Sequence, residues 1–116
     1  MTADPTAHIP FLPAEVEEDG VTVADADLAN SVVPQAPFKM ARFTVPAGGT
    51  SSPDVHAVQE IWVVRAGTGT LVVDGARTGL RAGSVVGFPS HAVHEAFADQ
   101  GEDLDVLSLW WDAPDA

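Results

Sequence analysis

The sequence contains no cysteine. That excludes disulfide scaffolds, thiolate metal sites, iron–sulfur clusters and cysteine nucleophiles together, and it makes a cytoplasmic location the default expectation. Basic side chains are scarce as well. Five Lys and Arg stand against 17 Asp and Glu in 116 residues, a formal charge of −12. A chain this acidic is repelled by phosphate backbones and anionic lipid, so neither nucleic acid nor a membrane surface is an expected partner. No apolar run approaches the roughly 18 residues that a membrane helix needs. The first residues, with Asp4, His8 and several prolines, lack the basic-then-apolar layout of a signal peptide. Sustained 3.6-residue apolar periodicity is missing too, so little helix is expected.

What is present fits one domain. Residues 1–20 hold Pro5, Pro10 and Pro13, then the acidic run Glu15, Glu17, Glu18 and Asp19. Proline interrupts ladders and like charges repel, so this stretch reads as a flexible or edge-packing arm carrying Ile9, Phe11 and Leu12. Residues 21–116 read as a single β domain. From Phe38 the turn signals become regular, at Gly48-Gly49, Gly67-Thr68-Gly69, Asp74-Gly75, Ala82-Gly83, Pro89-Ser90 and Gln100-Gly101. Between them lie short runs rich in β-branched and aromatic residues: Phe43 to Val45, Ile61 to Val64, Leu71 to Val73, Val85 to Phe88 and Val106 to Trp111. Such spacing predicts an all-β sandwich or barrel. Asp74-Gly75 is the strongest hairpin signal, since both central residues of that turn need positive φ. Without a Cys–Trp–Cys core, a small jelly-roll β-barrel fits better than an immunoglobulin-like sandwich.

Histidine occurs four times, as His8, His56, His91 and His94. Asp54, His56 and Glu60 lie close together in sequence, and alternate residues of a strand share a face. His94 follows from a later strand. Two imidazoles with one or two carboxylates form the donor set of a mononuclear first-row metal site.

These residues also carry a family resemblance. Gly48, five residues, Asp54-Val55-His56, three residues, Glu60, six residues and Gly67 follow one half of the cupin pattern, and Gly83, five residues, Pro89, four residues and His94 follow the other. The sequence resembles a small single-domain cupin from about Phe38 to Trp110. The resemblance implies a jelly-roll barrel in which His56, Glu60 and His94 are metal ligands and Gly67, Gly83 and Pro89 are structural. Three positions depart from the pattern. Asp54 stands where a first His is usual, His91 where Gly is frequent, and Ala98 where Asn is frequent, the last expected to mark a loosened turn.

With two His and two carboxylates around it, a divalent metal site is close to neutral. That favours Fe(II) or Mn(II) over copper, with Zn(II) and Ni(II) also admitted. Asp54 is read as a fourth ligand, as a catalytic general base beside a triad of His56, Glu60 and His94, or as a loop cap in a decayed site. The expected pocket is apolar and aromatic, suited to a small organic ligand. Arg42 is a candidate for carboxylate or hydroxyl recognition, and His91 is a loop residue or an acid–base group at the barrel mouth. The expected function is a metal-dependent cupin enzyme of dioxygenase, isomerase or cyclase type. The alternative is a non-catalytic metal- or ligand-binding module. A homodimer is expected, its arm lying across a partner's sheet edge.

Overall fold

In the computed structural model, which describes residues 7–114, nine strands follow in order: β1 (Glu15–Val16), β2 (Thr22–Asp25), β3 (Lys39–Val45), β4 (Val58–Ala66), β5 (Thr68–Val73), β6 (Ala76–Arg81), β7 (Val85–Phe88), β8 (His94–Ala98) and β9 (Leu104–Asp112). The helical content of the described residues is one 3-10 turn, Leu28–Asn30. The strands make two antiparallel sheets. One has six strands in the order β1-β2-β3-β9-β4-β7, the other three in the order β6-β5-β8.

Period-2 alternation explains the core. Ala41 and Val45 on β3, Trp62 and Val64 on β4, and Leu104 and Val106 on β9 are buried at alternate positions. All of these but Ala41 meet Leu71, Leu80, Ala96 and Ala98 from the three-stranded sheet in one apolar cluster. The core therefore lies between two facing sheets, as a small jelly-roll barrel requires. All five apolar runs lie within observed strands. Strand β6 has no such run, because only Leu80 of its six residues is buried. It forms because the Asp74-Gly75 turn folds it back on β5, with φ of 47° and 86° at the two central residues.

Residues 10–16 run along the edge of their own sheet. Phe11 bridges Ala26, the Leu12 N–H donates to the Asp25 carbonyl, and β1 pairs with β2. Residues 1–6 of the arm lie outside the described residues. Ala98 sits on the buried face of β8 and donates its N–H to the Gly49 carbonyl. The loosened turn expected there is replaced by regular strand.

Candidate metal centre

Asp54 and His56 do not lie on a strand with Glu60, as the alternation argument supposed. They occupy the connection from β3 to β4, which is exposed from Ser52 to Ala57 and lacks apolar alternation. Backbone pairing with β8 places this connection. The Ser51 N–H donates to the Ala96 carbonyl, and Asp54 and His94 exchange two N–H···O bonds of 2.9 Å. The connection thus extends the three-stranded sheet by one irregular strand. It brings Asp54 directly opposite His94, 40 residues away in sequence. At the far end the His91 N–H donates to the His56 carbonyl.

Donor atoms of Asp54, His56 and His94 then lie within 4.8 Å of one another. His56 Nε2 is 3.0 Å from Asp54 Oδ2. Two donors sharing one ion at bond lengths of about 2.1 Å stand roughly 3.0–3.4 Å apart in cis or tetrahedral positions, so this pair already has ligand spacing. His94 is 6% exposed. Its ring stacks on Phe88, with centroids 4.3 Å apart at 30°, and meets the edge of Trp62 at 5.8 Å. Its Nδ1 is 3.3 Å from the Ala92 carbonyl. A carbonyl only accepts, so Nδ1 is the donor in this contact, the tautomer in which Nε2 of a neutral ring is the metal-binding atom. A backbone carbonyl fixing the tautomer in this way is a common support for a metal-binding imidazole. The donor set and its spacing fit a divalent ion.

Glu60 enters the site differently. It comes from β4 and lines the same cavity, but it is not one of the three convergent donors. Its Oε2 accepts hydrogen bonds from Trp62 Nε1 at 2.6 Å and from Ser108 Oγ at 2.7 Å. Both bonds fall on one oxygen, and none among the described residues falls on Oε1. Ser108 lies 48 residues from Glu60 on β9, and nothing local in the sequence marks it as a partner.

The cavity has a volume of about 890 Å³, with Phe43, Trp62 and Trp110 among its walls. Arg42 does not line it. Its guanidinium carbon lies 4.2 Å from the Phe11 ring centroid, so the arginine packs on the arm. His91 is exposed with φ of 66°, the left-handed conformation that explains why glycine is frequent there.

Asp19 is a residue that sequence reasoning passed over. Its Oδ2 accepts the Ser52 N–H at 2.8 Å and its Oδ1 the Val21 N–H at 3.0 Å. It therefore ties the turn between β1 and β2 to the connection carrying Asp54 and His56. Burial pushes its carboxyl pKa up, but the N–H groups of Ser52 and Val21 and the Ser52 hydroxyl outweigh this and hold it below the usual value. The available signal was its place at the end of an acidic run, which reads equally well as a solvated turn.

A family model described as "Cupin domain" matches residues 41–110. The chain belongs to the cupin domain family. Among solved structures it is similar to a Cupin 2 conserved barrel domain protein from Salinispora arenicola, at 28% identity and a TM-score of 0.73, over 97% of this chain and 90% of that one. KdgF from Halomonas sp. matches at 20% identity and a TM-score of 0.70, over 90% and 89% of the two chains. A predicted oxalate decarboxylase from Thermotoga maritima matches at 19% identity and a TM-score of 0.71, over 96% and 100%. The last two likenesses establish the fold alone. No helix among the described residues is long and apolar enough to cross a membrane.

Proposed function

We propose that this cupin is a mononuclear metal enzyme acting on a small, partly apolar organic molecule held in the barrel. The observation that carries the reading is the convergence of Asp54, His56 and His94 at the wall of a cavity with aromatic sides. Two imidazoles and one carboxylate leave coordination positions free for a ligand, and they suit Fe(II) or Mn(II), with Zn(II) and Ni(II) as competitors. A divalent ion there supplies Lewis-acid polarisation of a ligand oxygen.

The protein's own groups divide the remaining work. Phe43, Trp62 and Trp110 take the apolar body of the ligand and exclude water. Asp54 has both oxygens engaged, Oδ2 beside His56 and Oδ1 accepting the Val55 N–H at 2.9 Å. This supports Asp54 as a ligand more than as a free base. Glu60 takes the acid–base role, because Trp62 and Ser108 hold Oε2 while Oε1 stays available to a ligand hydroxyl. An oxalate-like dianion is not carried over from the Thermotoga protein, since no Lys or Arg lines this cavity.

The test is elemental analysis after anaerobic reconstitution with Fe(II), Mn(II), Zn(II) or Ni(II) in turn. About one ion per chain is expected, lost in His56→Ala/His94→Ala while the far-UV β signature persists. Wild-type protein that stays metal-free with all four ions overturns the reading.

A further inference from the structure

The six-stranded sheet has a second face. Ala41 on β3, Trp62 and Val64 on β4, and Val106 and Ser108 on β9 are buried on its inner side. The residues between them therefore point outward. Strand register sets those outward residues in rows. One row across β3, β9, β4 and β7 reads Met40, Leu109, Ile61, Gly87. The next reads Arg42, Leu107, Val63, Val85. Trp111 and Gln59 begin a third. An antiparallel sheet with one face on the core ordinarily turns polar side chains to water on the other. Here the outward rows are mostly large and apolar, with Ile61 36% and Val85 65% exposed. The arm covers only the far end of this face, where Phe11 bridges Ala26 and packs against Arg42.

Size and charge point to one occupant. Four strands about 4.8 Å apart, crossed by rows about 7 Å apart, make an apolar patch on the order of 400 Å². That is about half of the roughly 800 Å² per partner in a standard interface. The remainder falls to a polar rim, for which Thr44, Gln59 and the Arg65–Asp105 pair, 3.9 Å apart, are in place. The chain carries a charge of −12, so two copies repel wherever their carboxylates meet. Six carboxylates, Glu17, Glu18, Asp19, Asp25, Asp54 and Glu60, line the cavity instead. Among the outward positions of β3, β9, β4 and β7, Asp105 is the one acid, against Arg42 and Arg65. A second copy meets least repulsion there, and a strongly charged partner finds no complementary field.

We propose that the outward face of β3, β9, β4 and β7 is an interface between two copies of this chain, packed sheet on sheet about a two-fold axis. Such an interface needs one self-complementary patch, with the two sheets stacked about 10 Å apart. Ile61, Val63, Leu107 and Leu109 form its centre. It does not depend on the metal.

The test combines sedimentation equilibrium of the full chain with maleimide labelling of single-cysteine variants, which a cysteine-free sequence permits without other changes. The wild type sediments at micromolar concentration as a dimer of the 12.1 kDa chain. Ile61→Lys/Val85→Lys, at exposed positions, raises the dissociation constant at least roughly a hundredfold while the far-UV β signature persists, because like charges then meet across the interface. Arg77→Gln/Arg81→Gln, on exposed positions of β6, leaves it unchanged. The thiol of Ile61→Cys labels several-fold more slowly above the dissociation constant than below it, whereas that of Thr78→Cys on β6 labels at one rate throughout. A wild type that is monomeric at about 100 micromolar overturns the proposal. So does a dimer unmoved by the paired lysines, or a labelling rate at position 61 that is independent of concentration. Should the lysine pair unfold the chain, the labelling comparison decides by itself.

Discussion

Two carboxylates of the site differ in what holds them, and substitution should separate them. Asp54→Asn keeps the shape and removes the charge 3.0 Å from His56 Nε2, so metal affinity should fall by ten- to a hundredfold, an estimate of roughly 1–3 kcal/mol. Glu60→Gln should retain the metal. It exchanges charge-assisted bonds from Trp62 and Ser108 for weaker ones, costing about 1–2 kcal/mol of stability in urea unfolding. Loss of metal in Glu60→Gln and retention in Asp54→Asn would reverse the assignment. His91 offers a separate check. Its φ of 66° costs a β-carbon-bearing residue about 1 kcal/mol, partly offset by the greater unfolded-state freedom of glycine. His91→Gly should therefore raise stability by about 0.5 kcal/mol in the same assay.

At the scale of elements, the connection from β3 to β4 is held from two sides, by β8 through the backbone and by Asp19 through Ser52. Asp19→Asn removes the charge from the second anchor. The expected cost is about 1 kcal/mol at neutral pH, for two charge-assisted bonds discounted for their exposure. The sign of the pH dependence follows from the depressed carboxyl pKa. Its stabilisation is fully present above the unfolded-state value and is lost as pH falls through the lower folded value. The gap between wild type and Asp19→Asn should thus be constant from pH 7 down to about 5 and close below about pH 4. Urea titrations across that range measure it. Metal affinity should also drop a few fold, because the connection carrying Asp54 and His56 is loosened.

At the scale of the whole molecule, the arm closes one edge of the larger sheet. Residues 10–16 cover β2, which is otherwise an open edge with unpaired N–H and C=O groups. Deleting residues 1–20 removes the bonds joining Leu12 to Asp25 and Pro10 to Asp27, along with the Phe11–Arg42 contact and the Asp19 anchor. With the Glu17–Val21 bond and both Asp19 bonds also lost, the expected loss is at least roughly 5 kcal/mol, at about 1 kcal/mol per hydrogen bond. Pairing within the chain predicts that the truncated protein self-associates more, through the uncovered edge. An arm exchanged between two copies predicts the opposite, a dimer that dissociates on truncation. Light scattering at micromolar concentration distinguishes the two.

The sequence by itself determined the class of fold and the residue types of the site. Alternating β-branched and aromatic runs between Gly- and Asp-marked turns can bury one face only as paired strands, so β3, β4, β5, β7 and β9 were legible, as was the Asp74-Gly75 hairpin. Spaced His and carboxylate residues also announced the donor types of a candidate metal site. Tertiary structure decided which of those residues meet. Asp54 and His56 reach His94 because backbone bonds join an irregular connection to β8, and irregular segments carry no periodic signal of their partners. Glu60 meets Trp62 two residues along the same strand face, but it meets Ser108 only because β4 and β9 are neighbours in the sheet, a pairing that local pattern does not encode. The collection of acidic residues at one mouth is likewise a matter of topology. A net charge of −12 says that carboxylates are abundant, but only the placement of β2 and its turn beside the connection from β3 to β4 puts six of them around one cavity.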